Sequence, residues 1–212
     1  MQHDFAAPDG MFGRAGIPLD GIRSVVAPTR RVLDAARAAG ILVVYLVMQF
    51  KADLSDLGGQ DAPNRSRHLG MGVGDVIAAP DGTASRILVE GTWNTRIVEE
   101  LTPHAVDLVV AKHRYSGFFE TELDALLRAR GITSLVFTGC TTSVCVESTL
   151  RDAFYRDYRC LLLTDCCAEA IGSDASRTNH EATITVIEAL FGWTGESTDF
   201  VTTMVGAATS AA

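Results

Sequence analysis

Runs of branched, wholly apolar residues that alternate with helical patterns restrict the fold of this chain more than any other feature. Four such runs are ILVVYLV (Ile41 to Val47), DLVVAK (Asp107 to Lys112), SLVFTG (Ser134 to Gly139) and CLLLTD (Cys160 to Asp165). A strand apolar on both faces must be covered on both, and strands joined by helices run parallel. The pattern therefore predicts an α/β fold, a doubly wound parallel sheet in a three-layer α/β/α arrangement. A helix is expected at about Ile22 to Ala39, and another in TELDALLRARG, where Thr121 and Asp124 form a capping pair and Leu123, Leu126 and Leu127 the apolar stripe, with Gly131 as the stop. In VESTLRDAFYRD, residues Val146, Thr149, Leu150, Ala153 and Phe154 recur with the period of a helix that buries one face.

The 212 residues suit one domain with a sizeable core, and the last few, VGAATSAA, read as a frayed end from about residue 206. Eighteen Lys and Arg against 26 Asp and Glu give a net charge of −8, without a basic stripe, which excludes nucleic acid as a partner. The longest apolar run is too short to cross a bilayer and too far along to be a signal peptide, so no membrane partner and a cytoplasmic location are expected. Five cysteines, Cys140, Cys145, Cys160, Cys166 and Cys167, lack the even framework of secreted scaffolds and are expected as reduced thiols. The five histidines show no metal-binding spacing, so no metal is predicted. The glycines of GMGVGD, Gly70 to Asp75, follow no strand and are expected in a loop.

Parallel sheets bind ligands beyond the carboxyl ends of their strands. Two chemically useful residues fall there: Lys112, the last residue of its strand, and Cys145, just after a strand in the first turn of a helix. Unpaired N–H groups and the positive end of the helix dipole favour a thiolate at Cys145, and a nearby lysine acts in the same direction. Cys140 precedes the turn and gains less. At this level a surface lysine, a core cysteine and a Cys140–Cys145 disulfide all stay open.

The stretch KHRYSGFFETELDALLRARGITSLVFTGCTTSVCVESTLRDAF, with EGTWNTRIVEELTP before it and ALFGW after it, resembles the isochorismatase-like cysteine hydrolases, most nearly the ureidoacrylate amidohydrolases of pyrimidine degradation. The resemblance implies a six-stranded parallel sheet, no cofactor, and a catalytic aspartate, lysine and cysteine, of which the lysine falls on Lys112 and the cysteine on Cys145. It places a cis peptide between Cys140 and Thr141 and an oxyanion hole at the N–H groups of Thr141 and Cys145. Phe5 and Tyr115 match positions close to the site, and Trp93 is expected to face it. The implied activity is hydrolysis of a C–N bond in a small ureido or carbamoyl substrate. Biuret, nicotinamide and carbamoyl amino acids stay open, because Met48 and Phe50 stand where an amide and a tryptophan would be looked for. A homo-oligomer is expected by the same likeness. The family's aspartate would lie just before Met1 of MQHDFAAPDG, so the chain is expected to be truncated at its N-terminus and to lack its first central strand. Asp4 is not given the role. A non-catalytic relative that binds a small metabolite is the alternative.

Overall fold

The computed structural model describes the backbone of residues 1–210 and the side chains of 1–206. The chain opens with α1 (His3–Ala6), α2 (Met11–Arg14), α3 (Asp20–Ser24) and α4 (Val26–Ala38), then enters β1 (Val44–Met48). An excursion follows with α5 (Pro63–Gly70) and a hairpin of β2 (Val76–Ala78) and β3 (Ala84–Arg86). After it come β4 (Leu108–Lys112), α6 (Leu123–Arg128), β5 (Ser134–Cys140), α7 (Glu147–Phe154), β6 (Arg159–Ala168), α8 (Asn179–Leu190), β7 (Trp193–Gly195) and α9 (Ser197–Ser210).

Alternate strand residues serve opposite faces, as the two-residue strand period requires. Cys160 and Leu162 of β6 pack among Val110, Leu127, Leu150 and Ile187, under α6, α7 and α8. Leu161 and Leu163 of the same strand meet Val32 and Phe200, under α4 and α9. Val44 and Leu46 of β1 join the first cluster, and Tyr45 and Val47 pack with Ala36 and Phe200 on the other side. The result is the three-layer α/β/α arrangement.

The single six-stranded sheet implied by the resemblance is replaced by two parallel sheets, β4–β1 and β5–β6–β7, beside the antiparallel β2–β3 pair. The physical reason is a cavity of about 700 Å³ that separates the β1 edge, Val43 to Leu46, from the β5 edge, Ser134 to Cys140. At its carboxyl end the Gln2 side chain donates to the Met48 carbonyl and accepts from the Met48 N–H, both at 2.8 Å. A side-chain amide thus does for the last residue of β1 what a neighbouring strand does elsewhere.

Several local expectations change. The helix expected from Ile22 is two helices broken at Val25, and the first strand starts at Val44 rather than Ile41. The Thr121/Asp124 cap does not form. The Thr121 hydroxyl donates to the Gly117 carbonyl, while Asp124 accepts from the Tyr158 hydroxyl and pairs with Arg128. A complete capping box sits instead on α8, between Thr178 and Glu181. Gly70 closes α5, and the rest of GMGVGD is the turn into β2. Helix α9 runs to Ser210, through most of the stretch expected to fray; residues 211–212 lie outside the described residues.

Candidate active site

Lys112 ends β4 and is only 4% exposed. Its Nζ donates to the carbonyls of Arg114 and Tyr115, both at 3.0 Å, and lies 3.6 Å from Met48 Sδ. A buried amine head needs such acceptors, and the loop that follows the strand folds back to supply them. Two links fasten that loop to α7. Ser116 donates to Asp152, and the Gly117 N–H donates at 3.0 Å to the Thr149 hydroxyl, which itself donates to the Cys145 carbonyl at 2.6 Å. The approach is close at Gly117: a Cβ there would lie 2.5 Å from Leu46 Cδ1, the movable end of a side chain, and 3.2 Å from Thr149 Cγ2. The lysine strand and the cysteine helix are thereby joined through one hydroxyl.

Gly139 at φ +126°, a conformation that side chains disfavour, leads β5 into a cis peptide between Cys140 and Thr141. The chain then makes one wide π turn, Thr142–Val146, and continues as α7. The N–H groups of Val144 and Val146 both donate to the Thr141 carbonyl at 3.2 Å. Cys145 is half-buried in this turn and, with Lys112 and Cys140, lines the cavity. The sequence reading had placed it in a first α-helical turn; the turn is wider, with the same position at the helix N-terminus.

All five cysteines are free. Burial pushes Cys140 up to about 11, against the pull of the N-terminal amine and Lys112. Burial also raises Cys160 to about 11 and Cys166 to about 12, and drives Cys167 upward as well. These four stay protonated near neutral pH and act as small packing residues.

Phe5 lies on the cavity wall. The Tyr115 ring stands 5.5 Å from that of His68, and its hydroxyl is raised by burial and by nearness to Cys145. Trp93 stacks on His3 at 4.4 Å and is not among the residues that line the cavity. Phe50 is fully buried among Met11, Leu57 and Leu88, so it is core rather than a contact for substrate. Asp4 is also fully buried and accepts from the N–H groups of Met11 at 2.9 Å and Leu88 at 2.7 Å and from the Asn94 amide. Burial raises its carboxyl while those donors pull it down. Its oxygens are committed to holding three segments together, which leaves it no part beside Cys145. Among the described residues no three His, Cys, Asp or Glu side chains gather in a way that would hold a metal ion.

Three participants escaped the sequence reading: Thr149, read only as a stripe residue, and Glu169 and His180, whose contacts with the turn join residues 26 and 38 positions apart. No local pattern marks such pairs.

The sequence profile of the isochorismatase domain matches residues 1–199. The chain belongs to the isochorismatase family. Relatives within reach include the ureidoacrylate amidohydrolase RutB of Rhizobium rhizogenes, 39% identical over 98% of this chain and 82% of its own length. The RutB protein of Variovorax paradoxus is 40% identical over 95% of this chain and 77% of its own. Among solved structures, a cysteine hydrolase from Pseudomonas syringae pv. phaseolicola superposes with a TM-score of 0.81 at 29% identity, covering 98% of this chain and 90% of that one. N-carbamoylsarcosine amidase from Thermoplasma acidophilum gives 0.62 at 28% identity, with 84% of each chain covered. Family membership agrees with the α/β layers.

Proposed function

We propose that this isochorismatase-family chain is a cysteine-dependent amidohydrolase that cleaves the carbamoyl C–N bond of a small ureido acid of the ureidoacrylate type. The observation that carries the reading is Cys145, at the start of a helix and facing the cavity that also receives the buried Lys112. The names of the relatives and of the carbamoylsarcosine amidase support the same substrate class.

In this mechanism the Cys145 thiolate attacks the carbamoyl carbon, forming a C–S bond. The charge that develops on the carbonyl oxygen is met by the N–H groups of Thr141 and Cys145. The C–N bond then breaks and the leaving nitrogen takes a proton, with Lys112 placed to assist the transfer. Water attacks the S-carbamoyl intermediate, releases carbamate and returns the thiol. A carboxylate is needed to take the first proton, and Asp4 is not placed for it. We assign that group to a further parallel strand lying between β1 and β5. Two features support this: the cavity has a strand edge along each side, and Gln2 already occupies the polar groups of Met48 at its carboxyl end.

The test is to incubate the protein carrying that strand with ureidoacrylate, biuret and nicotinamide and follow substrate loss and ammonia. Turnover of ureidoacrylate, abolished by Cys145→Ala and kept by Cys140→Ala, is the expected result. Full activity in Cys145→Ala would reassign the nucleophile. Binding without turnover of any of the three would make the chain a small-metabolite binder.

A further inference from the structure

The π turn that carries Cys145 is held from outside by residues the mechanism does not use. Glu169, the residue after β6, accepts the Ser143 N–H at 2.7 Å through Oε2. Its other oxygen, Oε1, accepts the N–H groups of Ala170 at 2.8 Å and Ile171 at 2.9 Å. The carboxylate is therefore fixed by its own loop before it reaches the turn. A second hold lies beside it: the fully buried Thr142 hydroxyl meets His180 Nδ1, on α8, at 2.9 Å. A third stands one residue past the turn, where Glu147 accepts the Thr183 hydroxyl at 2.8 Å and pairs with Arg151. Ser143 lies midway between Thr141 and Cys145, the two residues whose amides are assigned to the oxyanion. Rotation of the peptide planes there would re-aim both amides.

We propose that Glu169 is a positioning residue for catalysis, its Ser143 hydrogen bond fixing the amides of Thr141 and Cys145 toward the developing oxyanion, with the Thr142–His180 contact as its partner. This rests on the proposed function, in needing Cys145 as the nucleophile and the Thr141 and Cys145 amides at the oxyanion. A purely structural Glu169 would alter stability and leave turnover per folded molecule alone. A positioning Glu169 acts on the transition state, because displacement of oriented groups by about 1 Å costs about 100-fold in rate.

The experiment measures kcat and KM for ureidoacrylate in wild type, Glu169→Ala, Glu169→Gln and Thr142→Val, together with deuterium uptake of the peptide spanning residues 137–150. Expected is a fall in kcat of about 10- to 100-fold for Glu169→Ala with KM within about twofold. Glu169→Gln keeps one acceptor oxygen but turns an NH2 toward N–H donors on its other side, so it recovers only part of the loss. Deuterium uptake in the turn rises in Glu169→Ala and less in Glu169→Gln. Unchanged kcat in a folded Glu169→Ala protein overturns the proposal, as does a KM effect alone. A wild type that turns over nothing sinks the proposed function instead, and the deuterium comparison then decides by itself whether Glu169 orders the turn.

Discussion

Lys112 presents three N–H donors at its head, and two are given to carbonyls of the loop it precedes. Replacement by Met removes the charge and leaves those carbonyls without their donor; kcat is expected to fall by about 100- to 10,000-fold, the range for loss of a positioned proton-transfer group. Lys112→Arg does not rescue it, because a planar fork cannot reach both acceptors from the same stem. A second buried cation lies far from the chemistry. Arg37 Nη2 is 2.6 Å from Asp107 Oδ2, with only 1% of the Asp107 side chain exposed. Burial alone would raise that carboxyl, but Arg37 and the His104 N–H outweigh it and hold it below its usual value. The folded carboxyl thus binds protons less readily than the unfolded one. Its stabilisation is complete above about pH 4 and lost as pH falls through the lower folded value. Asp107→Ala, which leaves the Arg37 guanidinium only the Tyr45 hydroxyl and the exposed Asp34, is expected to cost about 1–3 kcal/mol at pH 7, read by urea melts, and to flatten the acid limb of stability against pH. Lys112 and Cys145 were legible as candidates because strand ends and helix starts can be read from periodicity. Asp107 gave no such sign: its partner stands 70 residues away.

At the scale of elements, apolar runs located every parallel strand but the short β7, because burial on both faces leaves a composition that can be read directly. Edges were less legible. Ile41 and Leu42 belong by composition to the first strand, yet pairing with β4 begins at Val44, which faces Leu108. Capping was misread for a physical reason: T-x-x-D before α6 has the right residues, but Asp124 is drawn off by Tyr158 and Arg128. In T-x-x-E before α8 both reciprocal bonds form, with Thr178 Oγ1 accepting from the Glu181 N–H at 3.1 Å and Glu181 Oε2 accepting from the Thr178 N–H at 2.8 Å. Thr178→Ala should therefore lower stability by about 1 kcal/mol, whereas Thr121→Ala, which gives up only the long 3.3 Å bond from the Leu123 N–H at the start of α6 and no reciprocal box, should cost less through capping; thermal melts of the two variants check this.

The whole molecule is divided along the gap between β1 and β5. No run of apolar residues announces it, since the composition of β1 and β5 does not record whether the two pair with each other. Apolar walls of that extent attract hydrophobic dyes, and the protein is expected to bind anilinonaphthalene sulfonate with a rise in its fluorescence. Absence of dye fluorescence would count against an open apolar cavity between β1 and β5. The gap also separates the two reacting side chains, since Lys112 ends a strand of one sheet and Cys145 follows a strand of the other, with Thr149 as their shared tether. Their spacing is thus a property of how wide two halves are held apart rather than of either half alone. Hydrostatic compression, which acts on internal voids first, would tune the rate of such an enzyme at pressures that leave its helices intact.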